Sequence, residues 1–253
     1  LILDEADRML DMGFYDDIMK ISNTLPKNRQ TLLFSATMPP KIRELANKLL
    51  KNPESISLAI SKPAEGITQS AYMCHDSQKV NLVREILRAK GRDLSHVLIF
   101  ASSIKSVREI KTTLNKAGMK ASEMHSGLDQ DQREQTIRDF KSKKIKILVA
   151  TDILSRGIDI KGIEIVINYE VPHDEEDYVH RIGRTARADR TGEAITFINP
   201  KQVKNFKDIE KLIEKEVPKL GLPKGFAKAP EYKMLSKNKK KKKWRNFKKQ
   251  KPT

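Results

Sequence analysis

Short apolar runs alternate with segments of helical periodicity along the first part of the chain. Three apolar runs predict buried strands at residues 1–3, 31–34 and 56–59. Two segments space their apolar residues three and four apart and predict helices at 15–25 and 39–50. Pro39 stands in the first turn of the second helix, a position that proline favours. We therefore predict a partial α/β layer over residues 1–59.

The same alternation resumes after a break. Residues 60–70 contain Pro63 and Gly66 and follow no apolar period, so we interpret them as a linker. Further strands are predicted at 71–74, 97–100, 145–150, 164–168 and 193–198. Further helices are predicted at 79–88, 104–117, 130–140, 175–187 and 201–214. Strands that alternate with helices indicate a parallel sheet covered on both faces, so we predict a complete α/β domain over 71–220.

The positive charge of the chain is concentrated at its end. The 253 residues carry a net charge of +17, of which +12 lies between Lys224 and Thr253. We predict a disordered basic tail over 221–253, because its lysine-rich sequence cannot form a core. Polyanions are the natural partners of such a tail, nucleic acid before an anionic membrane. Its lysines, including Lys240 and Lys241, would contact phosphates, and Trp244 could stack on bases. A tail that only keeps the protein in solution is the alternative.

Composition excludes several classes of protein. No apolar run approaches the ~18–20 residues that a membrane-spanning helix needs. The one cysteine, Cys74, excludes an internal disulfide framework, and no Cys/His cluster has the spacing of a zinc site. We therefore expect a reducing compartment. Leu1 lies inside an apolar run with no initiator methionine, which we interpret as the beginning of a fragment.

Two acids follow the first predicted strand directly. Asp4 and Glu5 would lie at the carboxyl edge of the sheet, where α/β proteins bind ligands. The first carboxylate could hold Mg²⁺, and the second could orient an attacking water. The alternative is an acidic turn in which Asp4 caps a helix over 6–10. Ser35 and Thr37 follow the second strand and would lie at the same edge, unless they cap the helix that follows Pro39.

The stretch from His180 to Arg187 carries a histidine and two arginines, His180, Arg184 and Arg187, at helical spacing. Guanidinium groups on one face suit a polyphosphate, although a solvated face balanced by the acids at 174–177 is the alternative. Three further features are weaker signals that ordinary turn or helix chemistry would also explain. They are Thr151 at a strand end, Gly157 with Asp159 in the following loop, and the helical pair Gln130 and Arg133.

In this order, the motifs resemble those of the DEAD-box RNA helicases of superfamily 2, over about residues 1–200. Asp4-Glu5-Ala6-Asp7 resembles the Walker B motif of the family and Ser35-Ala36-Thr37 its coupling motif, while 150–159 and 180–187 resemble its two late motifs. Residues 154–160 and 178–187, with the basic tail, are most similar to the bacterial RhlE-like branch. The resemblance implies two RecA-like domains, here one partial and one complete, that close over ATP and single-stranded RNA.

The resemblance also implies roles for individual residues. Asp4 would coordinate Mg²⁺, and Glu5 would activate water. Ser35 and Thr37, with Asp7 and His180, would couple hydrolysis to strand separation. Four residues would bind ATP, namely Gly157, Asp159, Arg184 and Arg187, the two arginines as fingers on the γ-phosphate. Four would contact the RNA backbone, namely Gln130, Arg133, Thr151 and Ser102. A cytoplasmic monomer that binds RNA without sequence preference is the expected form.

The sequence departs from the family pattern at several points. It contains no Gly-x-x-x-x-Gly-Lys-Ser/Thr phosphate loop, so we expect the 253 residues alone to hydrolyse no ATP. Ser126 stands where the family often has glycine, which leaves the role of Gly127 open, and Ala186 replaces a frequent glycine between the two arginines. A nucleotide-independent RNA clamp is the rival class. A related DNA helicase is a third reading, which Asp7 in place of histidine and His180 in place of glutamine disfavour.

Overall fold

A computed structural model describes residues 1–35, 37–57, 66–91, 94, 96–151, 162–186 and 191–233. Contacts between residues divide the chain into two units, Leu1–Ser61 and Lys62–Thr253. None of the helices in these described ranges is long and apolar enough to cross a membrane.

The first unit packs three helices around a two-stranded parallel sheet. Its elements are β1 (Ile2–Leu3), α1 (Ala6–Asp11), α2 (Tyr15–Thr24), β2 (Leu32–Leu33) and α3 (Pro40–Leu49), and β1 pairs with β2. Leu45 and Leu49 lie one turn apart on α3 and join Leu3 and Ile18 in a small core. This core explains the apolar periodicity of the sequence, because each helix buries one stripe of side chains against the strands.

The strand predicted at 56–59 is not found at its two described residues. Ile56 and Ser57 have no regular structure, and the Ile56 side chain is 86% exposed. In the described part of this unit, β1 and β2 pair only with each other, so the apolar residue has no neighbouring strand. Residues 58 and 59 lie outside the described ranges.

The second unit is a seven-stranded parallel sheet with helices on both faces. Its elements are β3 (Ile67–Met73), α4 (Asp76–Ala89), β4 (Val97–Phe100), α5 (Ile104–Lys116), β5 (Ala121–Met124), α6 (Gln130–Lys141), β6 (Ile147–Ala150), β7 (Ile165–Asn168), α7 (Glu175–Ile182), β8 (Gly192–Ile198), α8 (Val203–Leu212) and β9 (Lys219–Leu220). The strand order is β5-β6-β4-β7-β8-β3-β9. Every residue of β4, β6 and β7 is buried, as expected for strands covered on both faces.

Three strands of the second unit differ from the sequence prediction. β3 begins at Ile67, inside the predicted linker. The apolar pattern did not predict this start because two of the buried residues there, Gln69 and Ser70, are polar. Gln69 is accommodated there because Tyr178 donates a hydrogen bond to its Oε1 at 2.9 Å. The edge strands β5 and β9 were not predicted, since β5 carries the polar pair Ser122 and Glu123 and β9 has only two residues.

The chain remains packed well beyond β9. Phe226 packs against the core that α4 and α5 share with the sheet, and Gln78 donates a hydrogen bond to the carbonyl of Ala227 at 2.9 Å. Tyr232 packs against the core beneath α8, and its hydroxyl donates to Glu210 at 2.7 Å. The expectation that a disordered tail begins at residue 221 is therefore wrong for 221–233. Residues 234–253 lie outside the described ranges.

Candidate functional site

The acids after β1 lie where the strand turns into α1. Glu5 adopts a left-handed conformation, with φ of 51°, which is uncommon outside glycine and favours sharp turns at functional positions. The turn is held because the amide of Ala6 donates to the carbonyl of Phe34 at 3.0 Å. Asp4 and Glu5 are both exposed, and Asp4 Oδ1 accepts a bond from the amide of Glu5 at 2.9 Å. The N-cap residue of α1 is Glu5, and among the described residues the Asp4 side chain bonds to no amide of α1, so the capping alternative for Asp4 is wrong.

Asp7, Ser35 and Thr37 form one hydrogen-bonded network. Asp7 Oδ2 accepts from the amide of Thr37 at 3.0 Å and from its hydroxyl at 3.1 Å. Ser35 Oγ accepts from the amide of Asp7 at 3.2 Å and donates to the carbonyl of Thr37 at 2.7 Å. The network ties the turn after β2 to the first turn of α1. The N-cap residue of α3 is Pro39, and no side chain of the described residues caps this helix, so the capping alternative for Ser35 and Thr37 is also wrong. Ala36 lies outside the described residues.

The carboxyl ends of β5, β6, β4 and β7 lie side by side in the second unit. Met124 is in register with Ala150, which is in register with Phe100, and the next strand ends at Asn168. Predicted RNA contacts follow two of these strand ends. The half-buried Thr151 donates its amide to the carbonyl of Met124 at 3.1 Å, and the exposed Ser102 donates its amide to Glu170 Oε2 at 3.1 Å. Neighbouring strands lie ~4.8 Å apart, so this edge forms one continuous surface.

The loop after β5 is shaped by a buried histidine. His125 is fully buried, and its Nδ1 accepts from the amide of Gly127 at 3.2 Å. A Cβ at Gly127 would lie 3.2 Å from the same ring nitrogen, so the close approach favours glycine there. Gly127 therefore has a packing role against His125. Glu123 flanks the ring, with its Oε2 3.5 Å from His125 Nε2 and its Oε1 bonded to Lys111 at 3.1 Å. Sequence analysis did not identify His125 or Glu123.

Arg133 on α6 holds the same loop. Its Nη2 donates to the carbonyl of Ser126 at 3.0 Å, while its Nε is buried and has no hydrogen-bond partner among the described residues. Gln130 is exposed at the start of α6 and donates to Glu134 at 3.1 Å. The structure therefore brings Arg133 to the loop at this edge, whereas the Gln130 amide bonds along its own helix.

A second group of charged residues lies beneath the carboxyl edge of the sheet, and the sequence pattern did not predict it either. Arg181 is 7% exposed, donates from Nη1 to Asn168 Oδ1 at 3.2 Å, and lies 5.2 Å above the Phe100 ring. Burial raises the pKa of Glu170 above its ordinary value. Lys79 is 2% exposed, pairs with Asp76 at 2.8 Å and lies 5.5 Å from the Tyr169 ring. One signal for Arg181 was available, because it shares a helical face with the apolar residues Tyr178 and Ile182.

The helix that carries His180 ends sooner than its sequence predicts. α7 stops at Ile182, and Arg184 lies in the following turn, so the prediction that His180 and Arg184 share one helical face is wrong. The cause is a tertiary anchor: the Thr185 hydroxyl donates to the carbonyl of Ile163 at 2.5 Å, and the two residues form a parallel bridge.

Gly192 allows this anchor to form. A Cβ at position 192 would overlap the Thr185 hydroxyl and approach the Ala186 amide to 2.7 Å. Arg184 therefore lies between the end of α7, where its amide donates to the carbonyl of Arg181 at 3.2 Å, and the anchor of Thr185 to the sheet. Six predicted site residues lie outside the described ranges, namely Arg187, Gly157, Asp159, Lys240, Lys241 and Trp244. Within the described ranges, no group of three His, Cys, Asp or Glu side chains could hold a metal ion by itself.

Comparison with known proteins gives consistent matches in both units. The family profile "DEAD/DEAH box helicase" matches residues 1–45, and "Helicase conserved C-terminal domain" matches 78–189. The DEAD-box ATP-dependent RNA helicase CshA of Geobacillus kaustophilus is 38% identical over 224 residues, covering 88% of this chain and 48% of that protein. RhpA of Helicobacter pylori is 39% identical, with 88% and 45% covered. The chain thus spans about half the length of these curated relatives.

Solved structures agree in fold. S. cerevisiae Dbp5 bound to RNA and ADP BeF3 matches with a TM-score of 0.77 and 31% identity, covering 87% of this chain and 58% of that one. A DEAD box protein from Methanococcus jannaschii matches with a TM-score of 0.58 and 41% identity, covering 87% and 59%. The seven-stranded parallel sheet is therefore RecA-like, as the sequence predicted.

Proposed function

Because the chain belongs to the DEAD-box family of superfamily 2 helicases, we propose that the whole protein is an ATP-dependent RNA helicase that opens short duplexes locally. The observation that carries the proposal is the network of Asp7, Ser35 and Thr37 beside the exposed acids Asp4 and Glu5. It joins the two strand-end motifs of the first unit, so that a change at the acids reaches the turn after β2. The rival, a nucleotide-independent RNA clamp, does not require such a connection.

Asp4 and Glu5 take different roles in the proposal. Mg²⁺ usually keeps several waters and needs only one or two carboxylates beside the phosphates of the nucleotide, so the single exposed carboxylate of Asp4 fits it. When bound, Mg²⁺ neutralises charge on the phosphates of ATP. Glu5, fixed by the left-handed turn, orients the attacking water and accepts its proton.

The hydrogen bonds of Asp7 couple the position of the turn after β2 to that of α1. Thr37 is held by two hydrogen bonds to one carboxylate oxygen, and bonds to a charged acceptor are the stronger kind. Ser35 bonds in both directions between Asp7 and Thr37. We assign the three residues to coupling ATP hydrolysis to RNA strand separation. His180, exposed on the last turn of α7, belongs to the same proposed role.

In the second unit, we assign Arg184 and Arg187 to the γ-phosphate and Gly157 with Asp159 to the ribose end of ATP. The carboxyl edge of the sheet is the proposed RNA surface. Support comes from the common location there of Ser102, Thr151 and the loop at 125–127 that Arg133 holds. The contacts of Arg133 support two roles, a charge toward phosphate and an anchor for that loop. Gln130, exposed on the same helix, is kept as a phosphate contact.

Three finer assignments belong to the same proposal. The basic residues after Lys233, with Lys240, Lys241 and Trp244, bind RNA without sequence preference. Membership of the RhlE-like branch is proposed on the motif sequences at 154–160 and 178–187. A cytoplasmic monomer is proposed as the working form, in keeping with the single cysteine.

Phosphate release tests the proposal. In the 253-residue chain we expect no RNA-stimulated release above that of Glu5→Gln, because its sequence contains no phosphate loop. In a longer form of the protein that supplies this loop, RNA should stimulate release, and Glu5→Gln should lower it by at least about a hundredfold, within the 10²–10⁴ typical of a general base. If the longer form binds RNA but releases no phosphate, the clamp is correct and the helicase proposal is wrong.

A further inference from the structure

The amino-terminal edge of the second unit's sheet carries a groove that none of the proposed roles uses. It is a cavity of about 1010 Å³ at the carboxyl ends of α4, α5 and α6, beside the start of β6. We call it the basic groove. Its polar lining consists of Arg84, Arg88, Lys120, Lys143, Lys144 and Lys146, and no aspartate or glutamate is part of the described lining. Its apolar lining includes Leu87, Leu94, Ala117, Met119 and Ile147.

Helix dipoles explain only part of this positive charge. Three helix ends contribute about −1.5 charges in total, and cations near such ends are stabilising. At the margin, Lys144 pairs with Asp139 at 3.3 Å and Arg84 with Glu85 at 3.0 Å, and Lys146 has an interaction of its own. The exposed Arg88, Lys120 and Lys143 add further positive charge to the lining. A surplus of positive charge therefore remains around the groove, and it surrounds apolar side chains instead of covering a purely polar surface.

We propose that the basic groove binds an acidic, amphipathic segment of a partner protein. An apolar centre with a charged rim is the usual build of a protein interface, and methionine adapts well to apolar side chains of a partner. Leu94 and Met119 are only partly buried and are thus available to such a segment. The surplus of cations supplies the charge complementarity, which favours acidic partners and speeds their association.

RNA fits the basic groove less well than it fits the opposite edge. The described lining contains no aromatic ring on which a base could stack. The groove is bordered by carboxyl ends of helices, whereas phosphates favour amino ends. The strands between the two edges have four residues, or about 13 Å, so a partner in the groove leaves the carboxyl edge open. The groove would therefore recruit a partner while the proposed RNA surface is in use.

Fluorescence titration of the full chain tests this proposal. Cys74 is buried, and burial raises its pKa to about 12, so Ala117→Cys introduces the one reactive thiol for a dye at the groove. The probe is a synthetic 16-residue peptide with leucines at helical spacing and glutamate at the other positions. We expect saturable binding that changes the dye signal. Replacing either the glutamates by glutamine or the leucines by serine should weaken it about tenfold or more, since both kinds of contact are needed.

Matched protein variants distinguish peptide binding in the basic groove from non-specific electrostatic binding to a basic protein. Lys120→Gln with Lys143→Asn should weaken peptide binding about tenfold, and asparagine tolerates the φ of 61° at position 143. Lys204→Gln with Lys211→Gln removes the same charge from α8, where both side chains are 77% exposed, and should change binding less than twofold. Equal losses in both variants, or a serine peptide that binds as well as the leucine peptide, would overturn the proposal. So would an RNA oligonucleotide that depends on Lys120 and Lys143 while the peptide does not, because the groove would then be an RNA surface.

Discussion

Single side chains in this protein fix the backbone where the candidate chemistry lies. Asp7 shares its two carboxylate oxygens between α1 and the turn after β2, because Oδ1 accepts from the amide of Arg8 and Oδ2 accepts both bonds of Thr37. His125 does the same for the loop after β5 through the amide of Gly127. In both places one side chain fixes the backbone conformation of a turn or loop next to a strand end.

Asp7→Asn should loosen the turn after β2. An amide side chain has one acceptor oxygen, so it cannot serve both Arg8 and Thr37 as the carboxylate does. Loss of a hydrogen bond to a charged group costs about 1.5 kcal/mol or more, so hydrogen exchange of the Thr37 amide should become at least about tenfold faster. Asp11→Asn, at the exposed end of the same helix, is the control and should leave that amide unchanged. Equal exchange in the Asp7 variant and the wild type would contradict the network's role.

The candidate site residues that follow strands could be predicted from the sequence, whereas candidates that depend on packing could not. Asp4, Asp7 and Ser35 were accessible because a strand end is visible in the apolar pattern. Glu123 and Arg181 were not, because their importance comes from partners distant in sequence, such as the Asn168 amide for Arg181.

Helices and strands also divide into those with a strong local sequence pattern and those that depend on distant contacts. The buried strands β4, β6 and β7 and most helices agree with the predicted segments to within a few residues, since their apolar patterns are strong. The early end of α7 could not be read from the sequence, because it depends on the contact of Thr185 with Ile163 and on the space left by Gly192. β9 and the chain after it are held by hydrogen bonds to Glu210, and no local sequence pattern predicts these bonds.

Glu210 connects α8 to the end of the described chain. It accepts from the amide of Val217 at 2.8 Å, from the Tyr232 hydroxyl at 2.7 Å and from Lys219. Burial by itself raises the pKa of Glu210, but the hydrogen bonds from Lys219, Tyr232 and Val217 outweigh it and hold the pKa below its usual value. The folded state therefore favours the ionised carboxylate, and this contribution to stability is complete above the unfolded pKa of 4.5 and is lost as the pH falls through the lower folded value.

Glu210→Gln should lower the unfolding temperature at pH 7. Loss of bonds to a charged acceptor costs about 1.5–3 kcal/mol, which corresponds to roughly 3–10 °C for a unit of this size. The difference from wild type should shrink as the pH falls below 4.5. Glu216→Gln is the matched control, because that side chain is 88% exposed. Thermal unfolding followed by circular dichroism measures both variants, and a difference that stays constant down to pH 3 would refute the assigned ionisation.

At the scale of the whole molecule, the lysine-rich segment at 234–253 follows a part of the chain that is packed on the second unit. Tyr232 packs on Phe206, with ring centroids 6.5 Å apart, and lies under Lys219 at 4.5 Å. The lysine-rich residues 234–253 thus follow an anchored aromatic residue rather than a loose end. Any deletion that removes 221–233 also removes packing of the folded unit, so it confuses the contribution of charge with loss of structure.

Deletion of residues 234–253 should flatten the salt dependence of RNA binding. Each phosphate contact with a single strand contributes about 0.7 to the slope of log affinity against log salt, so engagement of even a few of these lysines should lower the slope by about 2. A second variant, in which the Lys and Arg residues of 234–253 become glutamine, keeps Trp244 and separates charge from stacking. Filter binding over a range of salt measures all three proteins. A slope that the deletion leaves unchanged would show that the tail serves only solubility.

The position of β3 in the sheet has a consequence for biosynthesis. This strand lies between β8 and β9, although it is the first strand of its unit to leave the ribosome. Translation proceeds at ~5–20 residues per second, so the nascent strand waits roughly 6–25 seconds for β8 to emerge. Throughout that interval its apolar residues Ile67, Ala71 and Met73 have no neighbour on either edge. We therefore expect the nascent chain to bind holding chaperones during this interval, and faster elongation to shorten the time for which β3 is unpaired.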